Sequence, residues 1–214
     1  AQSLRGMKKY EESQIWLKRY KASGGVVNTN DFSKDINFIT SVFGAKQQYF
    51  LDRVRFNSKF SDFGAFEHNG KVYFTSARDE GVAVKRLYGW NEQPFLDLYE
   101  FTVEDDGTYQ NESLLGNDIN TKYHEGVVSF SPDGNTMYFS RESFFERVFQ
   151  KDTLSKTRYS QLFLFKATKL DSDWDTVESL AINSENYSVK NPSVSSDGST
   201  LYFASNMPGG YGNF

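Results

Sequence analysis

Hydrophobic positions recur along this chain with two different periods. Up to about Ala22, Leu4, Met7, Tyr10, Ser13 or Gln14, Leu17 and Tyr20 return at three- and four-residue steps between Lys, Arg and Glu. That spacing lays them on one face of a helix, and Ser23-Gly24-Gly25 ends it. Phe32, Ile36, Ile39 and Phe43 keep helical steps behind Asp31, a capping residue type, so a second helix is predicted over 31–43, closed by Gly44. From Gln47 the step falls to two. Tyr49–Phe56 alternates and is predicted to be a leading strand.

Alternation then returns in a repeating form. Val127–Ser131 and Thr136–Arg141 flank Ser131-Pro132-Asp133-Gly134, which predicts a hairpin. The same pattern recurs as Pro192–Ser205 around Asp197-Gly198, and in shortened form as Gly64–Ser76 around Asn69-Gly70. The Tyr-Phe pairs beginning at Tyr73, Tyr138 and Tyr202 lie 65 and 64 residues apart. A second marker precedes each hairpin at Asn57, Asn120 and Asn183, spaced 63 and 63. Two markers with one period define a repeat. Each complete unit adds a third strand (Leu96–Val103, Gln161–Thr168) and a fourth (Tyr109–Leu115, Val177–Leu180), with a long connection between the second and third. Four antiparallel strands at a fixed period describe a propeller blade.

The expected fold is therefore mainly β: a partial β-propeller of four-stranded blades preceded by a short α-helical segment. Residues 1–46 form the helical end and linker. Residues 47–214 carry a leading strand, two complete blades and the start of a third. Propellers close with four to eight blades, so this reads as part of a longer chain or as a ring completed by something else. No signal peptide pattern is visible, and Ala1 reads as the start of a mature or excised fragment.

The Ser-Pro-Asp-Gly-x-Thr-x-Tyr-Phe hairpin resembles the WD40-like repeat called PD40, found in TolB-type propellers. Tyr10–Tyr20 resembles the second half of a tetratricopeptide repeat, with an aromatic, a small residue at Ser13 and a large one on the packing face. An ordinary amphipathic helix packed on the sheet domain reads equally well. Phe60–Gly64, Phe74–Asp79, Trp90–Tyr99 and Tyr202–Gly212 look like Bacteroidetes envelope proteins of the OmpA family, in which tetratricopeptide repeats precede such a propeller. The resemblance implies a PorE-like protein of type IX secretion or gliding, on the periplasmic face of the outer membrane. It implies an outer-membrane barrel of PorP/SprF type, or another secretion or gliding component, as partner. Peptidoglycan would be held by a C-terminal domain that these residues do not contain. Residues 25–47 match that family only loosely, and Asn69-Gly70 stands where the family has Pro-Asp-Gly.

Composition narrows the chemistry. There are 24 basic and 28 acidic residues and no basic stripe, so nucleic acid is not expected as a partner. Aromatics at 17% favour strands. The absence of cysteine excludes disulfides and thiolate chemistry. Asp133-Gly134 and Asp197-Gly198 suit turns better than metal sites, because Asp bonds its own backbone and Gly supplies positive φ. Asp171, Asp173 and Asp175 open like a calcium loop, but Thr176 and Ile182 stand where Gly and Glu are required. His68 and His124 are the only histidines, and each lacks a neighbouring His or Cys. No nucleophile elbow or phosphate loop appears. No catalytic residue, metal or cofactor is therefore expected. Phe74, Tyr138, Phe139, Tyr202 and Phe203 are expected in the core. Tyr88 and Trp90 in one long connection, and Phe144, Phe145, Phe149 and Arg158 in the other, pair aromatics with charge. They are the candidate partner-contact residues. The expected function is a non-catalytic periplasmic scaffold. The alternatives are a propeller that binds or hydrolyses glycans or peptides, and a TolB-like periplasmic adaptor.

Overall fold

The structure, a computed structural model, describes residues 2–26, 44, 52–79, 87–116, 118–154, 156–170 and 173–210. The chain divides into two compact units, Ala1–Arg53 and Val54–Phe214.

In the first unit the single helix expected up to Ala22 is two: α1 (Gln2–Gly6) and α2 (Tyr10–Ala22). Gly6 is a poor helix former, and Lys8 takes a left-handed conformation with φ 60°. The Lys9 N–H then bonds the Leu4 carbonyl and the Lys8 N–H that of Arg5, a Schellman ending with Lys in glycine's place. α2 has Glu11 and Glu12 in its first turn and Arg19 and Lys21 in its last, each favourable to the helix dipole. It too closes by a Schellman pair, at Gly24 (φ 88°), with the Gly25 N–H on the Tyr20 carbonyl. Ser13 is buried. The predicted helix over 31–43 lies outside the described residues.

The second unit is mainly antiparallel sheet. β1 (Asp62–His68), β2 (Lys71–Ser76), β3 (Asp97–Val103) and β4 (Tyr109–Leu114) form one four-stranded meander. β5 (Glu125–Phe130) and β6 (Thr136–Glu142) form a second with β9 (Leu162–Leu170) and β10 (Asp173–Ser179), in the order β5-β6-β9-β10. Between β6 and β9 the chain makes a 3-10 helix, Ser143–Glu146, and a small hairpin of β7 (Gln150–Lys151) and β8 (Arg158–Tyr159). Sequence periodicity does not show strands two residues long. β11 (Val189–Val194) and β12 (Leu201–Ser205) make a third, two-stranded sheet. The described part of the expected leading strand, Asp52–Phe56, is not a strand. The Asn57 N–H bonds the Val54 carbonyl in a turn that sends Phe56 against Phe74, Phe101 and Tyr109.

The hairpin turns differ. Asn69 and Gly70 both have positive φ (50° and 72°), as a two-residue turn demands. The later turns have four residues, and only Gly134 and Gly198 are left-handed. There Asp133 accepts from Ser131 Oγ and the Asn135 N–H, and Asp197 from Ser195 Oγ and the Ser199 N–H. Successive turns lie against one another: a Cβ on Gly134 would come 2.6 Å from His68 Nε2, and one on Gly198 would come 3.1 Å from Pro132.

Two of the marker asparagines, Asn120 and Asn183, have a common task. The Asn120 side chain takes the Leu98 N–H on Oδ1 (2.7 Å) and donates from Nδ2 to the Leu98 and Leu115 carbonyls. Asn183 does the same to Leu164. Each clamps both polar groups of one residue at the start of the preceding third strand. The hydroxyls that follow, Ser58, Thr121 and Ser184, each accept the N–H two residues on.

The main core lies between the two meanders. Tyr73 and Leu98 of the first meet Val128, Phe130, Met137, Phe139 and Phe165 of the second. Phe130 is its hub, touching Phe66, His68, Tyr73 and Trp174, with the His68 ring stacked 4.6 Å away. β11 packs on β5, with the Asn191 and Val194 N–H groups donating to Ser140 and Ser129 Oγ. Phe74 and Phe139 are buried, as expected. Tyr202 and Phe203 are not, at 62% and 37% exposed. Phe74 and Phe139 are covered by a third strand, at Tyr99 and Phe165, and β12 has no third-strand neighbour among the described residues.

Candidate functional site

Register places one end of both meanders together. β2 ends at Ser76, opposite Asp62 and Asp97; β6 ends at Glu142, opposite Leu162, with Arg141 opposite Glu125. Both long connections leave from this end. The stretch 87–96 folds back on itself, with a bridge from Leu87 to Pro94 and the Tyr88 N–H on the Gln93 carbonyl. Gln93 Oε1 accepts from both the N–H and the hydroxyl of Ser61, which pins the loop to the start of β1. Trp90 at its tip is 87% exposed.

Beneath the tip lies an open pocket of about 290 Å³. Its walls come from both meanders: Phe63 and Ala77 from the first, His124, Glu142 and Leu162 from the second, with Tyr88 and Trp90 above. The Leu96 N–H donates to His124 Nδ1 (3.0 Å), so the ring proton sits on Nε2. That Nε2 is buried and has no hydrogen-bond partner among the described residues. Tyr88 meets the imidazole edge-on and Phe95 packs on it, both at 4.5 Å. Burial pushes the His124 pKa down to about 4, so the ring is neutral. Burial pushes the Glu142 carboxyl up, to about 7. Among the described residues, Glu142 is the only Asp or Glu lining the pocket, and no Lys or Arg lines it.

Two arginines at the same end do have carboxylates. Arg78 Nη2 bonds Asp62 (3.0 Å) and the Phe56 carbonyl (2.8 Å), and its guanidinium lies 4.7 Å from the Phe74 ring centre. Arg141 is fully buried. Its Nε bonds Glu125 (3.1 Å), its Nη2 bonds the Asp118 and Ile119 carbonyls, and its guanidinium packs on Phe139, Phe145 and Phe165. Burial pushes Glu125 up, to about 8, against the pull of Thr121 and Arg141. Hydrogen bonds from Ser76, Ser58 and Arg78 outweigh burial at Asp62 and hold it below the usual range.

The residues expected to contact a partner fall into three places. Tyr88 and Trp90 line the pocket. Phe144 stacks on Tyr123 (5.9 Å) and touches Phe149, over which Arg158 lies at 4.8 Å. Phe145 turns instead to the edge of Phe165 and the guanidinium of Arg141, 4.3 Å away. His124 and Glu142 were not foreseen as pocket residues. A charge pair, Arg141-Glu142, at the end of a buried run was the available signal. Asn69 and Gly70 lie between β1 and β2, Asp133 and Gly134 between β5 and β6, and Asp197 and Gly198 between β11 and β12. Among the described residues, no group of three or more His, Cys, Asp or Glu is placed to hold a metal ion. No described helix is long and apolar enough to cross a membrane. Comparison with protein-family models, curated proteins and solved structures gives no match.

Proposed function

We propose that this chain is a non-catalytic scaffold that binds a protein partner, and that its sheets are successive blades of a β-propeller. The observation that carries this reading is the placing of both long β2–β3 and β6–β9 connections at one end of adjoining meanders. There Trp90, Phe145 and Phe149 expose aromatic surface on a rigid base. The blade reading is supported by the repeated meander and by the side-by-side packing of β1, β5 and β11. A periplasmic location, an outer-membrane barrel of a secretion or gliding system as partner, and a peptidoglycan tether elsewhere in the protein follow from the sequence resemblance alone.

The test is purification of the tagged full-length protein from cross-linked envelopes of its source organism, with mass spectrometry of what accompanies it. A stoichiometric envelope protein, lost when Trp90 and Phe149 are both changed to Ala, is expected. Recovery of the protein alone, or a partner indifferent to those changes, overturns the reading.

A further inference from the structure

We propose that the pocket beneath Trp90 receives the guanidinium of an arginine side chain presented by a partner polypeptide. This deepens, and rests on, the reading of the same end as a partner-binding surface.

The argument starts from charge. Glu142 ends β6 and lines the pocket, and its side chain has neither an ion-pair nor a hydrogen-bond partner among the described residues. The other walls are aromatic, aliphatic or neutral: Phe63, Tyr88, Trp90, Leu162 and an uncharged His124. A half-buried carboxylate in such surroundings gains most from a cation that brings its own hydrogen bonds. The volume, about 290 Å³, is at the small end of ligand pockets and suits one side chain.

The fold shows which cation fits. Arg78 and Arg141, at this same end, each pair with a carboxylate while lying on aromatic rings. The pocket repeats the other half of that arrangement. Among the described residues it is lined by Glu142 and by Tyr88 and Trp90, whose rings meet edge-to-face at 6.4 Å, but by no arginine. A planar guanidinium can lie on a ring and bond a carboxylate in its own plane together, which an ammonium does less well. Trp90 stands almost free of the protein, so its outer face is open to an incoming side chain.

The probe is a blocked pentapeptide with one arginine between glycines, titrated into the protein while the Trp90 indole N–H signal is followed by NMR. The expected result is a saturable shift in the high-micromolar to millimolar range. Replacing arginine by the neutral isostere citrulline, or Glu142→Gln in the protein, weakens binding at least about tenfold, the loss of one charge-assisted contact. Trp90→Ala, on an exposed side chain, leaves the urea midpoint unchanged and also weakens binding, followed in that protein by the His124 ring signals. A lysine peptide binds more weakly than the arginine one. Equal binding of the citrulline peptide, of the lysine peptide or by the Glu142→Gln protein overturns the proposal. So does a Trp90 shift given by chitotetraose but by no peptide. An envelope partner that is lost with Trp90 and Phe149 but kept by Glu142→Gln would overturn only the arginine assignment. Arginine-peptide binding without any envelope partner would instead overturn the scaffold reading.

Discussion

Arg141 and Arg78 bring their guanidinium groups to equivalent places in the two meanders from non-equivalent positions in the strands. Arg141 lies within β6, opposite Glu125, whereas Arg78 lies two residues beyond Ser76, the residue opposite Asp62. Each Nη2 donates to the carbonyl just before a marker asparagine, Ile119 or Phe56, and each guanidinium bonds the carboxylate five residues after that marker. The first hairpin turn is two residues shorter than the second, so a constant spacing of 63 along the chain meets a different register in the sheet. What is kept is the destination of the charge.

Removing Arg141 should therefore cost more than removing Arg78. Arg141→Met leaves Glu125 fully buried without its cation, a loss of about 3–5 kcal/mol. Arg78→Met leaves Asp62 with the N–H and the hydroxyl of Ser58 and the hydroxyl of Ser76 as donors, and should cost about 1–2 kcal/mol. Adding Glu125→Leu to Arg141→Met should recover most of the loss. Urea denaturation of the four proteins measures this; equal costs for the two single changes would refute the burial argument.

The asparagine clamps give a second ordering. Asn120 is buried and holds Leu98 by its N–H and carbonyl, so Asn120→Ala strands polar backbone away from water and should cost about 2–3 kcal/mol. Asn183 makes the same bonds to Leu164 nearer to solvent, where water can replace the amide, and its loss should cost about 1 kcal/mol. Hydrogen exchange of the Leu98 and Leu164 amides reports each clamp directly. Unchanged protection of Leu98 in Asn120→Ala would show that the clamp does not hold the strand.

These asparagines also show what the sequence could reveal. Their 63-residue spacing was legible, as were the hairpins, because alternation and Asp-Gly or Asn-Gly turns act locally. Their task was not, since it depends on the third strand of the previous unit, some 20 residues back. The break at Lys8 was hidden because Gly6 is its one sequence signal, and the left-handed position falls on a lysine rather than on the usual glycine. The pocket was half legible. Tyr88 and Trp90 announce themselves as aromatics in a polar loop. Glu142 and His124 reach it only because the sheet register brings β5 and β6 beneath a loop from the first meander. Tyr202 and Phe203 were misplaced because their pattern equals that of Tyr138 and Phe139, and burial is decided by the neighbouring strand.

Stability should fall as pH rises through neutrality. Asp97 is buried, and burial first and the nearby charge of Asp79 second raise its carboxyl from 3.8 to about 7. Between those values the folded chain holds a proton that the unfolded chain has released. Stability is then lost progressively as pH rises from about 4 to about 7. Glu125 and Glu142 are raised too and act in the same direction. Asp97→Asn removes one such group. Its stabilising effect should be on the order of 2–4 kcal/mol at pH 8 and vanish near pH 4. Urea midpoints of both proteins across this range check it. Parallel profiles would mean that Asp97 is ionised at neutral pH in the folded chain.

Gly64 separates backbone strain from crowding between the meanders. It sits in the bulge of β1 with φ 67°, and a Cβ there would come 2.1 Å from Val127 Cγ1 and 3.7 Å from the Val127 Cα in β5. Gly107 has φ 77° in the β3–β4 turn, with nothing within 4 Å of its Cβ position. Gly107→Ala should therefore cost only the left-handed conformation, about 1–2 kcal/mol. Gly64→Ala should cost that plus the overpacking of β1 on β5, about 3 kcal/mol or more in all. Val127→Ala removes the nearest methyl group, so in the Gly64→Ala background it should restore part of the loss, although alone it destabilises. A double-mutant cycle by urea denaturation reads that coupling. Additive effects would show that the two meanders do not press together at this point.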